Sequence, residues 1–158
     1  MFDQCGIEAR ADVLVYTSEP LPEDLEVTGT VELVLYVASD APDTDFTATL
    51  VDVHPGGKAI IVSEGMLRTR FRDSIESPTL MEPGEVYEFH ITIWETSNLF
   101  KAGHRIRLEI SSSNFPRFDR NLNTGNVPNM DAEMRTANQT ILHNVEHPSH
   151  ITLPIIPR

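Results

Sequence analysis

Between Ser111 and Gly125 the chain reads Ser-Ser-Ser-Asn-Phe-Pro-Arg-Phe-Asp-Arg-Asn-Leu-Asn-Thr-Gly. Asn114, Phe115, Arg117, Phe118, Asp119, Arg120 and Asn121 thus fall within eight positions. Pro116, Asn123 and Gly125 are turn formers and suit a loop. Turning a chain does not require two large aromatics and two guanidinium groups. Ordering such side chains costs entropy unless they pack on something. The segment is therefore either a docking surface carried on a rigid scaffold or an irregular loop tied down by its own side chains.

Outside this segment the chain carries few patterns that chemistry would need. A nucleophile elbow needs Gly-x-Ser-x-Gly, and no two glycines here lie four apart. Ser, Asp and His all occur, but no spacing by itself makes them a triad. His143, His147 and His150 lie close together with Glu146 among them, and a helix would bring His143 and His147 to one face. Pro148 and strand-like flanks favour histidines of a surface turn instead. Asp40, Asp43 and Asp45 lack the glycine and terminal glutamate of a calcium loop, and read as a turn running into a strand. Neither glycine-rich phosphate motif is present. No acid pair stands in an apolar setting that would mark glycoside cleavage. No metal or cofactor is expected.

Composition narrows the partners. The formal net charge is −12 over 158 residues. Residues 1–50 hold 11 acids and one base, whereas residues 101–158 hold five acids and seven bases. A polyanion would be repelled by most of such a surface, so neither nucleic acid nor an anionic membrane is an expected partner. The one relatively basic third carries the 111–125 segment. No apolar run approaches the length of a membrane span. The opening Met-Phe-Asp-Gln-Cys lacks the regions of a signal peptide. Cys5 is the single cysteine, so no intrachain disulfide forms. A cytoplasmic location is the expectation.

The elements that must position this segment read as strands. Residues 1–11 are expected to be an extended lead-in, and residues 12–158 one domain. Asp12–Thr17 is a first strand, and Leu25–Ala38 is the longest, with Val27, Val31, Leu33, Leu35 and Val37 on one face. Gly29 interrupts it and predicts a bulge. Phe46, Ala48 and Leu50 share a face of the next strand. His54-Pro-Gly-Gly-Lys58 predicts a hairpin. The returning strand ends with Arg68, Arg70 and Arg72 on one side, read as a solvated edge rather than as partners for the acidic half. Glu85–Trp94 follows, with a turn from Ser97 to Gly103 and a strand over Arg105–Ile110. Met130–Thr136 is the one helix candidate. Thr140–Asn144 and His150–Ile155 close the chain. About eight strands and almost no helix predict an all-β sandwich in two antiparallel sheets.

Four stretches carry a family resemblance: Asp43-Thr-Asp-Phe-Thr-Ala-Thr-Leu-Val-Asp-Val-His-Pro55, Thr96-Ser-Asn-Leu-Phe-Lys-Ala-Gly-His-Arg-Ile-Arg107, Ser111 to Asn121, and Glu146-His-Pro-Ser-His-Ile-Thr-Leu-Pro154. In order, and from about Val13 onward, the chain resembles the C-terminal domain of the X-Pro dipeptidyl-peptidase and cocaine esterase family of serine hydrolases. The resemblance implies a jelly-roll β-sandwich of the galactose-binding-like type. It also implies a parent enzyme whose α/β-hydrolase domain holds the Ser-Asp-His triad, with a helical cap. None of that triad maps onto this chain, so the chain alone is expected to be inactive, as a domain of a longer protein or a truncated product.

The expected partners are then the hydrolase and cap domains. Phe115 and Phe118 would anchor the contact, and Arg117 and Arg120 would pair with carboxylates or carbonyls across it. Asn114, Asp119 and Asn121 would fix the loop. Trp94 is expected in the core. Set free, the domain would expose an apolar patch and form a homodimer. Two other classes stand beside this one: a carbohydrate-binding module using Trp94 or Tyr87, and a small independent esterase.

Overall fold

Alternate apolar residues from Val27 to Val37 run down one side of a 15-residue strand, β2 (Leu25–Ser39). The computed structural model, which describes residues 3–128, 130 and 132–157, stacks that side against a second sheet. In chain order the elements are α1 (Cys5–Glu8), β1 (Leu14–Thr17), β2, β3 (Asp45–Val53), β4 (Ala59–Arg68), a 3-10 turn (Thr69–Phe71), β5 (Tyr87–Phe100), β6 (Arg105–Ser111), β7 (Gln139–Leu142) and β8 (His150–Thr152). One sheet has the order β1-β6-β3-β4. In the other, β2 pairs with β5 on one side, while β7 and β8 also pair with it, at Tyr36–Ser39 and Glu32–Val34. Every strand pair is antiparallel. The chain changes sheet after β1, β2, β4, β5 and β6, which makes a jelly-roll sandwich.

The core lies between the sheets. β2 contributes Val27, Val31, Leu33, Leu35 and Val37, β3 Phe46, Ala48 and Leu50, and β5 Phe89, Ile91 and Ile93. Phe46 and Phe89 meet across the layers with ring centroids 5.7 Å apart. Each such Val, Leu, Ile or Phe contributes roughly 1.5–3 kcal/mol relative to leaving it in water. The period-two pattern therefore acts at the level of packing and sets which face turns inward.

Two bulges shift that pattern. Thr30 pairs with Glu95 and Glu32 with Thr92, so Ile93 and Trp94 together oppose Val31. The extra residue expected near Gly29 thus sits on the facing strand. Gly29 does adopt φ +136°, and Trp94 has φ +56°. That left-handed step turns Trp94 outward, 60% exposed, rather than into the core as expected. In the β3–β4 hairpin, Leu50 pairs with Ser63 but Val51 with Ile61, which leaves Val62 as the extra residue. Here the two sheets approach closely: Ser63 Oγ donates to the Ile93 carbonyl at 2.5 Å. Gly65 has no room for a side chain, since a Cβ would lie 2.1 Å from the Thr92 oxygen.

Three further expectations are corrected. Residues 1–11 are not simply extended, because Cys5–Glu8 forms one helical turn as Ile7 and Glu8 donate to the Gln4 carbonyl. Asp3 and Gln4 meanwhile pin this segment to Ile60 and Ala59. The helix expected over Met130–Thr136 is not formed at 132–136; Asp131 lies outside the described residues. Arg135 instead donates from its backbone to Leu122 and from its guanidinium to the Asp40 carbonyl, and so short a segment lacks the cooperativity to resist. The turn expected at Ser97–Gly103 begins later, since β5 runs on to Phe100 against Leu25.

Candidate functional site

Asp43 and Asp45 lie at the mouth of β3, and the hairpin brings Arg68 opposite Asp45. Arg68 grips Asp45 through both carboxylate oxygens, at 2.8 and 3.0 Å. Arg70 reaches Asp43 at 2.8 Å, and the Arg70 backbone N–H and the Thr69 hydroxyl donate to the other oxygen. Asp43, Asp45, Thr69 and Arg70 are all buried. Arg68 and Arg70 are therefore ion-pair partners of the acidic half and not a solvated edge, because opposite charges met once the hairpin closed, whereas Arg72 turns to Asp73 and to the Thr79 and Leu80 carbonyls. Buried carboxylates stay ionised only when paired and hydrogen-bonded in this way.

This buried lattice holds the 111–125 loop. Asn121 donates its amide to Asp43 at 3.0 Å and Asp45 at 2.8 Å, and its own oxygen accepts from the Asn123 backbone. The free donors of the arginines go to loop carbonyls: Arg68 to Asp119 at 2.9 Å, Arg70 to Asn126 at 2.8 Å. At the other end, Glu64 of β4 accepts from both Asn114 and Arg117. Phe118 closes a turn by donating its N–H to the Asn114 carbonyl. The loop is thus tied down by its own side chains, and Asn114, Asn121 and the Asp119 backbone take part in that fixing.

What the loop presents follows from this anchoring. Phe115 is 57% exposed, with the Arg120 guanidinium carbon 4.8 Å from its ring centroid. Phe118 is half-buried, with Arg117 over it at 5.6 Å. Arg117 already has its acid in Glu64, so it does not await a carboxylate from elsewhere. Beside the loop runs an open groove of about 780 Å³ along the outer face of β3, β4 and β6. Trp94 and Phe115 line it together with Thr47, Thr49, Ser63 and Ser111. Glu109 also faces this groove, and burial against Glu8 pushes its carboxyl up to about 8. Sequence reasoning missed Glu64 and Glu109, because only strand pairing brings either to the loop and groove.

The histidines of the C-terminal turn each meet a different neighbour. His143 meets the Tyr16 ring edge-on, His147 meets Tyr36, and the His150 Nδ1 lies 2.7 Å from the Pro148 carbonyl. Tyr87 is engaged too: its hydroxyl accepts from the Glu82 N–H and Arg72 covers its ring.

The fold and the loop define a jelly-roll β-sandwich domain that carries an anchored, aromatic-tipped loop. Residues 3–152 match the family described as the X-Pro dipeptidyl-peptidase C-terminal non-catalytic domain, and the chain belongs to that family. It is 53% identical over 158 residues to cocaine esterase of Rhodococcus sp. (strain MB1 Bresler), which spans 99% of this chain but 28% of that protein. Among solved structures, an alpha-amino acid ester hydrolase superposes with TM-score 0.92 at 30% identity. An aminopeptidase from the marine sediment archaeon Thaumarchaeota archaeon superposes equally well, at 34% identity. Both alignments cover 98% of this chain and 27% of the other. The chain thus spans little more than a quarter of the length of these relatives.

Proposed function

We propose that this domain packs against the α/β-hydrolase and cap domains of a serine hydrolase and helps to shape an ester- or peptide-cleaving site between them. The exposed Phe115 ring, covered by Arg120 at the tip of a loop anchored on buried ion pairs, carries this reading. An exposed aromatic held rigid loses little entropy on docking, and aromatic–arginine pairs are frequent interface anchors. The attack on the acyl carbon belongs to the partner domain, whose serine, histidine and aspartate have no counterparts assigned in this chain.

The test is complementation. The hydrolase–cap region of the parent protein is expressed separately, and aryl-ester hydrolysis is assayed with and without this chain. The chain alone should be inert, and should bind the catalytic part and raise its activity or melting temperature. Phe115→Ala with Arg120→Ala should weaken association at least about tenfold, the equivalent of about 1.4 kcal/mol. Absence of binding would sink the docking role.

One observation favours a second reading. Trp94 and Phe115, both exposed aromatics, line one groove, and such faces suit stacking on a sugar. Glycan binding lost in Trp94→Ala, with docking intact, would establish a carbohydrate-binding module.

A further inference from the structure

Away from the loop, at the opposite end of β3, three metal-binding side chains converge. Asp52 is the penultimate residue of β3, His54 begins the β3–β4 turn, and His104 ends the β5–β6 turn. The two turns touch: Gly103, at φ +81°, leaves its missing Cβ position 3.7 Å from the Pro55 ring. The backbone holds each histidine in place. His54 donates its N–H to the Lys58 carbonyl at 2.9 Å, and His104 to the Lys101 carbonyl at 3.0 Å.

The side chains meet around one carboxylate. The His104 Nδ1 lies 2.8 Å from Asp52 Oδ1, and the His54 Nε2 lies 3.9 Å from Asp52 Oδ2. The two imidazole rings are 4.4 Å apart between centroids, tilted by 36°. One donor atom from each residue fits within 4.8 Å of the other two. In a tetrahedral zinc site, with bonds of about 2.0–2.1 Å, donors sit about 3.4 Å apart. Closing the set to that spacing takes a contraction of at most about 1.4 Å between its furthest donors.

We propose that Asp52, His54 and His104 form a binding site for a divalent transition-metal ion of the zinc type. Two imidazoles and one carboxylate match the ligand preference of such ions, and three protein ligands leave a coordination position for water. The Asp52–His104 hydrogen bond alone does not account for His54, which is stacked beside a second imidazole and points at the same carboxylate. Asp52 and His104 are largely buried, with side-chain exposures of 12% and 14%, whereas His54 at 43% leaves the site open to solvent. The ion would clamp the β3–β4 turn to the β5–β6 turn.

The full chain, stripped with EDTA and desalted, is titrated with Zn²⁺ by calorimetry, and Co²⁺ serves as a spectroscopic probe. One Zn²⁺ per chain is expected, with a rise in melting temperature and the intense visible Co²⁺ bands of tetrahedral coordination. His54→Ala, at a half-exposed position that leaves the Asp52–His104 pair standing, should weaken binding at least about tenfold. His143→Ala and His150→Ala should not. Absence of saturable binding would overturn the site. So would binding that survives His54→Ala, or binding lost in the His143 or His150 variants, which would move it to the C-terminal turn.

Discussion

Asp43 and Arg70 carry opposite charges inside the protein, each with several hydrogen bonds, whereas Arg10 and Asp12 pair at the surface. Removing one member should therefore have very different costs. Arg70→Ala leaves a buried carboxylate without its cation and should cost roughly 3–5 kcal/mol in denaturant unfolding. Arg10→Ala, with both side chains well exposed, should cost less than about 1 kcal/mol. Equal losses would remove the lattice from its place as the loop's anchor. Glu109 sets a pH dependence of its own. Its folded pKa stands near 8 against an ordinary 4.5, raised by burial first and by the neighbouring Glu8 second, with Arg107 opposing. The folded state therefore keeps a proton that the unfolded chain releases. This contribution is complete below about pH 4.5 and is lost as pH rises through about 8. Glu109→Gln, neutral at every pH, should flatten that part of the stability profile and raise the melting temperature at pH 8 relative to the parent. An unchanged profile would mean that Glu109 is not protonated in the fold.

At the scale of elements, one edge of the sandwich is closed by backbone contact. β4 and β5 belong to different sheets, yet Ser63 hydrogen-bonds Ile93 and Gly65 lies against Thr92. Gly65→Ala would force its methyl group onto a main-chain oxygen that cannot swing aside as a side-chain tip can. A loss of at least about 2 kcal/mol in unfolding free energy is expected, in the range of overpacked sites. A neutral result would show that the sheets can separate here. The same edge explains Trp94: the bulge that fits β5 to β2 is also the step that turns the indole into the groove.

At the scale of the molecule, charge is divided between surface and loop. The chain carries −12 overall, yet residues 101–158 bear more bases than acids, and Arg120 stands at the exposed tip. Docking through that tip onto an acidic partner surface should slow as salt rises, because screening shortens the reach of the arginine. Stopped-flow association with the hydrolase–cap region should show the on-rate falling between about 0.05 and 0.5 M NaCl while the Phe115 contribution to the off-rate persists. A salt-independent on-rate would assign the contact to apolar packing alone.

Much of this was legible in the order of residues. The two-residue period of Val27 to Val37 and of Phe89 to Ile93, and the His54–Lys58 turn, dictate strands and a hairpin because side-chain alternation is a local property of extended chain. The density of aromatics, guanidiniums and amides at 114–121 marked the loop for the same reason: ordering it needs partners. What those partners are was decided only in three dimensions. Val62, one residue out of step, brings Arg68 rather than Leu67 opposite Asp45, and so turns a solvated edge into a buried ion-pair lattice. Trp94, one residue out of step on β5, leaves the core for the groove. Asp52 and His104 are 52 positions apart and meet only because two turns pack together at one end of the sandwich. Local pattern determines which faces are apolar, but bulge positions and turn contacts depend on how two whole sheets fit, and that fit is settled by packing across the core.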